Sequence, residues 1–155
     1  MPRVFDRKKL KTDCPNCNAL CCIQPAIEAT GYVKPSGTTC RHLDTETARC
    51  RVFADLESLG FQWCRGFDCY GAGVAVTELF RRLGKNWRTD VAIKEIECHV
   101  FAIVYFRLVQ YLHPDRPTEI DVPAGRLKEL EPFTEAALDI LAETADPFMS
   151  LDSTK

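Results

Sequence analysis

The apolar residues downstream of Gly73 recur at the three- and four-residue spacing of an α-helix. In the first such stretch, positions i, i+3, i+4 and i+7 are Val76, Leu79, Phe80 and Leu83. A helix with this pattern buries one face against a core. Gly84 follows at once, and glycine is favoured just past a helix end because it accepts left-handed backbone. We therefore predict a helix that ends at Gly84.

A second, longer helix is predicted from Thr89 or Asp90 to about Leu112. Either of the first two side chains can accept a hydrogen bond from the first turn, and a histidine–proline pair directly after Leu112 ends the helix. The first half carries a one-sided apolar stripe, which consists of Ile93, Ile96, Val100 and Ile103. The second half, from Val100 to Phe106, is apolar nearly all round, which indicates burial on several sides or a partner surface. We favour burial within the protein's own fold.

Prolines divide the remainder of the chain. Residues 114–124 contain three of them and are predicted to form an extended connection. A last helical region is predicted from Ala124 to Thr144. Pro132 has no N–H to donate, so we expect a kink or a restart there, with Pro132 in the first turn of the second piece. The tail from Pro147 onward is predicted to be loose.

The part of the chain before Gly73 has a different character. Its prolines and glycines favour turns, and one short helix is predicted around Phe53, Leu56 and Leu59, with Gly60 just past its end. We predict a mainly α fold, in which a loop-rich multi-cysteine metal-binding module packs on an α-helical layer of about three helices. The predicted divisions are a basic tail at 1–13, a single domain at 14–146 made of a cysteine module (14–72) and a helical part (73–146), and a loose tail at 147–155.

Composition and charge narrow the class of protein. A chain of 155 residues, 46% of them hydrophobic, can bury one core of ordinary size. The 20 basic and 22 acidic residues nearly cancel, so we expect neither nucleic acid nor a membrane as a partner. The basic run at 7–11 is local and is predicted to belong to a solvated tail. The N-terminus lacks an apolar segment of signal-peptide length, which predicts a cytoplasmic protein.

The cysteines are the most informative residues. Eight of the nine lie between Cys14 and Cys69. In a reducing compartment, and with an odd number of cysteines, metal ligation is favoured over disulfides. The predicted ligands are Cys14, Cys17, Cys21, Cys22, Cys40, Cys50, Cys64 and Cys69. The ninth, Cys98, falls on the long predicted helix and is predicted to be a core residue.

Thiolates are soft ligands, so this set indicates zinc, an iron–sulfur cluster or, less favoured, copper(I). Eight ligands make two sets of four. Neighbouring side chains such as Cys21 and Cys22 diverge and suit two adjacent centres better than one tetrahedral ion. We therefore expect two metal centres or one compact polynuclear site. Arg65, Gly71 and Gly73 are candidates for contact with the metal-bound sulfurs, because backbone N–H groups beside the glycines could stabilise negative charge. The glycines could equally form a plain turn into the helix that follows.

A family resemblance lies in the order of the cysteine groups, which is Cys14-x2-Cys17-x3-Cys21-Cys22, Cys40-Arg41-His42-Leu43, Cys50 and Cys64-Arg65-Gly66-Phe67-Asp68-Cys69. This order resembles the YkgJ-type cysteine-cluster family, described as zinc- or iron-chelating with a CxxCxxCC signature. Segments 34–43 and 67–73 are more similar still to the cysteine-rich segments that precede pentapeptide repeats in some bacterial proteins. The resemblance covers most of residues 14–113 and implies a bacterial metal-binding protein without implying a reaction.

The sequence leaves three classes of function open. The leading one is a protein that binds an iron–sulfur cluster or zinc for structure, metal handling or redox transfer. The alternative is a catalytic metalloprotein, or an accessory subunit of a modification or redox enzyme, with an open metal site near Gly71–Gly73. A second alternative is an interaction adaptor that uses the apolar helix around Val100–Phe106 to contact a protein partner. We favour a binding protein over a stand-alone enzyme.

Overall fold

The computed structural model describes residues 3–8, 10–29, 31–116, 119–120 and 122–145. Within them, the α-helices are α1 (Gln62–Gly66), α2 (Ala72–Arg82), α3 (Val91–Leu112), α4 (Ala124–Glu129) and α5 (Glu131–Ala145). The strands are β1 (Ile27–Ala29), β2 (Tyr32–Lys34), β3 (Leu43–Asp44) and β4 (Arg49–Cys50). Short 3-10 turns span Cys14–Asn16, Leu20–Cys22 and Phe53–Asp55. The predicted mainly α fold is confirmed; the predicted loose tail at 147–155 lies outside the described residues.

The three long helices α2, α3 and α5 pack against one another and form the predicted helical layer. The Asp90 side chain caps α3 by accepting a hydrogen bond from the Ala92 N–H at 3.1 Å, which confirms the predicted start. The last helical region is interrupted between Glu129 and Glu131. Pro132 lies in the first turn of α5, where its missing N–H removes no helical hydrogen bond. The predicted restart is therefore confirmed.

The apolar half of α3 is covered by the protein itself. Its buried side chains include Val100, Phe101, Ile103 and Val104. This confirms the predicted burial of this stretch within the fold. In the described part of the chain, no helix combines the length and the apolar character needed to cross a bilayer.

The cysteine half is built from short elements that the sequence pattern did not predict. β1 pairs antiparallel with β2, and β3 pairs antiparallel with β4. Strands of two or three residues are too short to show an alternating pattern, which is why both hairpins were missed. The predicted short helix is only a 3-10 turn at Phe53–Asp55, followed by turns that end at Gly60. Gly60 adopts a φ of 87°, as expected for a glycine at such an end.

Two hydrophobic clusters hold the molecule together. The larger cluster joins the long helices and also takes in Leu20, Ile23 and Leu43 from the cysteine half. The smaller cluster has a buried centre of three side chains, Ile27, Leu56 and Phe61. Cys50 and Cys64 pack against this smaller cluster. The cysteine half therefore shares the core of the helical layer and has only a small apolar cluster of its own.

The N-terminal segment departs from the prediction of a solvated tail. Leu10 is only 4% exposed and belongs to the larger cluster. The Phe5 ring meets the edge of Tyr111 with 5.1 Å between ring centroids. Arg3 forms ion pairs with Glu135 and Asp139 of α5. The apolar residues between the basic ones dock this segment, while Arg7, Lys8 and Lys11 remain exposed.

Candidate metal centre

All eight predicted ligand cysteines line one cavity of about 550 Å³. They come from the N-terminal turns, the loop before β3, strand β4, α1 and the loop that ends two residues before the α2 cap. Cys98 does not line this cavity; it is 2% exposed and lies in the larger hydrophobic cluster, which confirms its assignment to the core. The fold therefore separates the nine cysteines as the spacing predicted.

Local backbone hydrogen bonds bring distant cysteines together. The Cys17 N–H donates to the Cys14 carbonyl at 3.2 Å, closing a tight turn with both thiols at the cavity. The Cys40 N–H donates to the Cys22 carbonyl at 2.8 Å. The β3–β4 hairpin then brings Cys50 back toward this region, because Cys50 pairs with Leu43, three residues after Cys40. These contacts bring residues far apart in the sequence to one wall of the cavity.

The loop between Cys17 and Cys21 is fixed by the helical part. The Asn18 N–H donates to Thr77 Oγ1 at 2.9 Å, and the Asn18 carbonyl accepts from Trp87 Nε1 at 3.0 Å. Ala19 then adopts left-handed backbone with a φ of 59°, which turns the chain into Cys21. Three residues between the two cysteines allow this anchored turn to form.

Gly73 brings α2 close to two of the sulfurs. A Cβ atom at this position would lie 2.7 Å from Cys17 Sγ and 3.8 Å from Cys69 Sγ. Two hydroxyl groups approach the same sulfurs: Thr77 Oγ1 lies 3.9 Å from Cys17 Sγ, and Thr12 Oγ1 lies 3.5 Å from Cys69 Sγ. A side chain at this position would compete with the Cys17 sulfur for space, so the glycine lets α2 approach the thiols closely.

The other two residues predicted to support the ligands lie in different places. Arg65 lines the cavity from α1. Gly71 does not line it; Gly71 caps α2 with a φ of 92°, and a Cβ there would lie 3.2 Å from Leu141 Cδ2 and 3.3 Å from the Lys11 carbonyl oxygen. Gly71 therefore serves the start of α2 and the docking of the N-terminal segment, and Gly73 is the glycine at the sulfurs.

Burial makes most of these thiols weak acids. It raises the pKa of Cys17 to about 11 and that of Cys64 to about 11. Burial is also the main cause of the raised pKa of Cys14 and of Cys50. Cys22 differs, because a hydrogen bond from the Cys21 thiol lowers its pKa and raises the pKa of Cys21. Metal binding at this site would therefore have to displace protons.

Lys34 is a buried cation next to the site that sequence reasoning missed. It is 1% exposed, and its ammonium group donates to the carbonyls of Ile23 at 2.8 Å, Pro35 at 3.2 Å and Thr38 at 2.5 Å. Burial lowers the pKa of Lys34, while the nearby Cys40 and Cys22 act in the opposite direction. A lysine in a three-residue strand gives no sequence signal of burial, because its partners are carbonyls from distant turns.

Glu97 of α3 is a buried carboxyl group that the sequence did not single out. It is fully buried, and Oε1 accepts the Trp87 N–H at 3.0 Å. Burial raises the pKa of Glu97 to about 7. Glu97 lies four residues after Ile93 and three before Val100, so it falls within the apolar stripe of the helix. That position was the sequence signal that could have predicted its burial. Through Trp87, Glu97 supports the loop that carries Asn18.

The nine cysteines, all within the described ranges, are free thiols. Among the residues that the structure describes, no three His, Cys, Asp or Glu side chains are arranged so that they could hold a metal ion as they stand. The donor chemistry nevertheless fits a soft metal, because eight thiols face one cavity. Ligation would require the sulfurs to turn inward toward a shared ion.

The rest of the cavity wall is mainly apolar and aromatic. The aromatic side chains that line it are Phe53, Phe61, Trp63, Phe67 and Phe101. Two cations, Arg49 and Arg65, also reach it. His42 lines it as well, with Nε2 accepting from the neighbouring Arg41 Nε at 3.3 Å and the ring packed edge-on against Phe61. His42 is thus a hydrogen-bonded loop histidine at the edge of the thiols.

Comparison with known proteins finds similarity to a bacterial protein. The chain is 31% identical over 119 residues to a protein of Bacillus subtilis (strain 168) named "Uncharacterized protein YybG". The match covers 74% of this chain and 42% of that protein, so the chain spans less than half the length of this curated relative. No family model matches the chain, and no solved structure matches it significantly. The resemblance to the YkgJ-type family therefore rests on the cysteine pattern.

Proposed function

We propose that this protein is a cysteine-ligated metalloprotein that binds an iron–sulfur cluster or zinc and works in the cytoplasm. The proposed ligands are Cys14, Cys17, Cys21, Cys22, Cys40, Cys50, Cys64 and Cys69. When bound, zinc would hold the cysteine half in its fold, and an iron–sulfur cluster would in addition carry electrons. A reducing compartment would keep the thiols available for ligation.

One observation carries this proposal: the eight clustered cysteines share a cavity, and Cys98 lies apart from it. A free cysteine can also be buried as a small hydrophobic residue, as Cys98 is, but eight thiols around one open cavity are typical of ligands for a soft metal. The surroundings also suit thiolates. The Thr12 hydroxyl near Cys69 and the ammonium group of Lys34 near Cys22 could both stabilise negative charge on sulfur.

The size of the cavity supports the catalytic alternative as a second candidate. A volume of about 550 Å³ falls within the range of roughly 300–1,000 Å³ that small-molecule sites occupy. Apolar walls, together with Arg49 and Arg65, could hold a substrate beside the metal. The two candidates differ in ligand count, because four protein thiolates at each ion favour a structural centre, and one missing protein ligand favours catalysis.

Metal analysis of three single variants tests the ligand assignment. We expect Cys21→Ala and Cys22→Ala each to lower the metal content of the purified protein. Cys98→Ala is the matched control and should retain full metal, because Cys98 lies outside the cavity. Equal metal loss in all three variants, or no loss in any of them, would contradict the proposed ligand set.

A further inference from the structure

We infer that the eight cysteines form two separate four-thiolate centres. The first set is Cys14, Cys17, Cys21 and Cys69. The second set is Cys22, Cys40, Cys50 and Cys64. This inference rests on the proposed metal binding and goes further, because it assigns each thiol to one centre and excludes a single shared cluster.

The first set gathers where α2 begins. Cys14 and Cys17 share one turn through the hydrogen bond between the Cys17 N–H and the Cys14 carbonyl. Cys17 and Cys69 approach the same point, since a single Cβ at Gly73 would contact both sulfurs. The electrostatic neighbours of the Cys21 thiol are Cys17 and Cys69, together with the adjacent Cys22. These contacts link the four cysteines to one another beside the first turn of α2.

The second set gathers between the second hairpin and α1. Cys40 is joined to Cys22 by the hydrogen bond from its N–H to the Cys22 carbonyl. Cys50 enters through the β3–β4 hairpin, and Cys64 lies beside it because both pack on the smaller hydrophobic cluster. After burial, the groups that raise the pKa of the Cys64 thiol are the other three members of this set, Cys22, Cys40 and Cys50, so they lie near it. Cys64 therefore belongs with the hairpin and not with Cys69, although the two lie close together in the sequence.

The adjacent pair Cys21 and Cys22 marks the boundary between the sets. Both lie in the 3-10 turn Leu20–Cys22, and the Cys21 thiol donates a hydrogen bond to the Cys22 sulfur, so the two sets meet at this pair. Beyond that contact, Cys21 neighbours Cys17 and Cys69 of the first set. Cys22 approaches Lys34, and its carbonyl accepts from the Cys40 N–H of the second set. The two centres would therefore be adjacent, each taking one sulfur of the pair.

The two sets have different surroundings. Hydroxyl groups of Thr12 and Thr77 approach the first set. The buried ammonium group of Lys34 lies near the second set, beside Cys22 and Cys40. Four thiolates around a divalent ion carry a net charge of −2, so the cation offsets part of that charge at the second centre only. The two centres should therefore differ in metal affinity.

Cobalt(II) titration of the metal-free, reduced full-length chain tests the division. Tetrathiolate cobalt is coloured, so the absorbance reports both the number of ions bound and the sulfur ligands at each ion. We expect the unaltered protein to bind two equivalents of cobalt. Cys14→Ser and Cys50→Ser should each retain one equivalent with unchanged absorbance per bound ion. The control Cys98→Ser should retain two.

Double variants separate the two possible arrangements. Cys14→Ser/Cys17→Ser removes two ligands from the first set and should still leave one equivalent. Cys14→Ser/Cys50→Ser removes one ligand from each set and should leave no tetrathiolate site. Ellipticity at helical wavelengths should be equal in all variants, which establishes that the helical part is folded. If Cys14→Ser is insoluble, Cys14→Ala replaces it, because Cys14 is exposed.

The outcomes also separate this inference from the proposed function. An unaltered protein that binds no cobalt would contradict the proposed metal binding itself. If the unaltered protein binds cobalt but Cys14→Ser and Cys50→Ser each abolish all of it, the eight thiols form one polynuclear site and the division is wrong. If Cys14→Ser/Cys17→Ser and Cys14→Ser/Cys50→Ser retain equal amounts of cobalt, the assignment of these cysteines to the two sets is wrong.

Discussion

The helical part and the cysteine half differ in what holds them together. The helical part has long amphipathic elements that meet in a continuous core, with α2, α3 and α5 in mutual contact. The cysteine half has strands of two or three residues and a separate apolar cluster with three buried side chains. A half with so little core of its own needs another source of stability. The comparison suggests that ligated thiols supply it.

Removal of metal should break this comparison with the largest effect. Structural zinc sites contribute on the order of 10 kcal/mol to folding, so the cysteine half should unfold when its metal is lost. The helical part should persist because its core is apolar. We expect chelator-treated protein to be cleaved between Cys14 and Cys69 in limited proteolysis while its far-ultraviolet circular dichroism stays helical. Unchanged cleavage in metal-free protein would show that the cysteine half folds without ligands.

Val104→Asp should destroy the helical part. Val104 is fully buried in α3, and an unpaired carboxylate there costs several kcal/mol, a large part of a typical domain's stability. We expect little soluble protein on expression. Val91→Asp makes the same replacement in the first turn of α3, where the side chain is 82% exposed, and should be soluble and fully stable. A soluble, fully metallated Val104→Asp monomer would instead favour the adaptor alternative.

Glu97 should make the stability of the helical part depend on pH. Its pKa is raised to about 7 from 4.5, so the folded state holds a proton that the unfolded state releases first. The contribution of Glu97 to the free energy of unfolding should therefore be greatest below pH 4.5. It should fall by up to about 3 kcal/mol as the pH rises to 7.

Urea unfolding of metal-free protein at several pH values measures this contribution. Glu97→Gln cannot titrate and should flatten the profile between pH 4.5 and 7. Glu95→Gln removes an exposed carboxyl two residues away on the same helix and should leave the profile unchanged. Parallel profiles for the unaltered protein and Glu97→Gln would show that the buried carboxyl does not govern this range.

Gly73→Ala should produce the smallest effect on stability and a specific effect on metal. The new Cβ would lie 2.7 Å from Cys17 Sγ, so the sulfur would have to rotate away from its place beside Cys69. The favourable helix propensity of alanine, about 1 kcal/mol over glycine, offsets part of the crowding. We expect a nearly unchanged melting temperature of metal-free protein and a reduced metal content.

Gly125→Ala is the matched control for this change, because Gly125 also lies in a helix and no other group stands within 4 Å of the place that an alanine methyl group would take. It should retain full metal content and gain slightly in stability. Equal metal content in the two alanine variants would mean that Gly73 is not at the ligand site.

The sequence predicted the helical part well because its signals are local. The spacing of Val76 to Leu83 and the Asp90 cap depend on residues within a few positions of one another, and both helices were found. The hairpins were missed because they depend on pairing between strands too short to show a period. Length of the element, more than its type, decided what could be predicted.

The candidate site was only partly predictable for a related physical reason. Spacing alone separated the eight clustered cysteines from Cys98, and the cavity keeps that separation. Lys34 gave no signal, because its burial arises from distant turns that fold over it, and Glu97 gave only its place within the apolar stripe of α3. Which thiols neighbour one another likewise depends on tertiary contacts such as the Cys22–Cys40 hydrogen bond. The identity of the metal stays a prediction.

Metal and acid-labile sulfide analysis of anaerobically purified protein, with a visible spectrum, tests the central claim most directly. The account predicts stoichiometric metal in one of two forms: a colourless protein with about two zinc ions, or a brown protein with iron and acid-labile sulfide. Titration of free thiols should show the eight cavity cysteines protected before metal removal and reactive after it. Protein purified without bound metal, with those thiols reactive from the start and unable to take up zinc or iron, would contradict it.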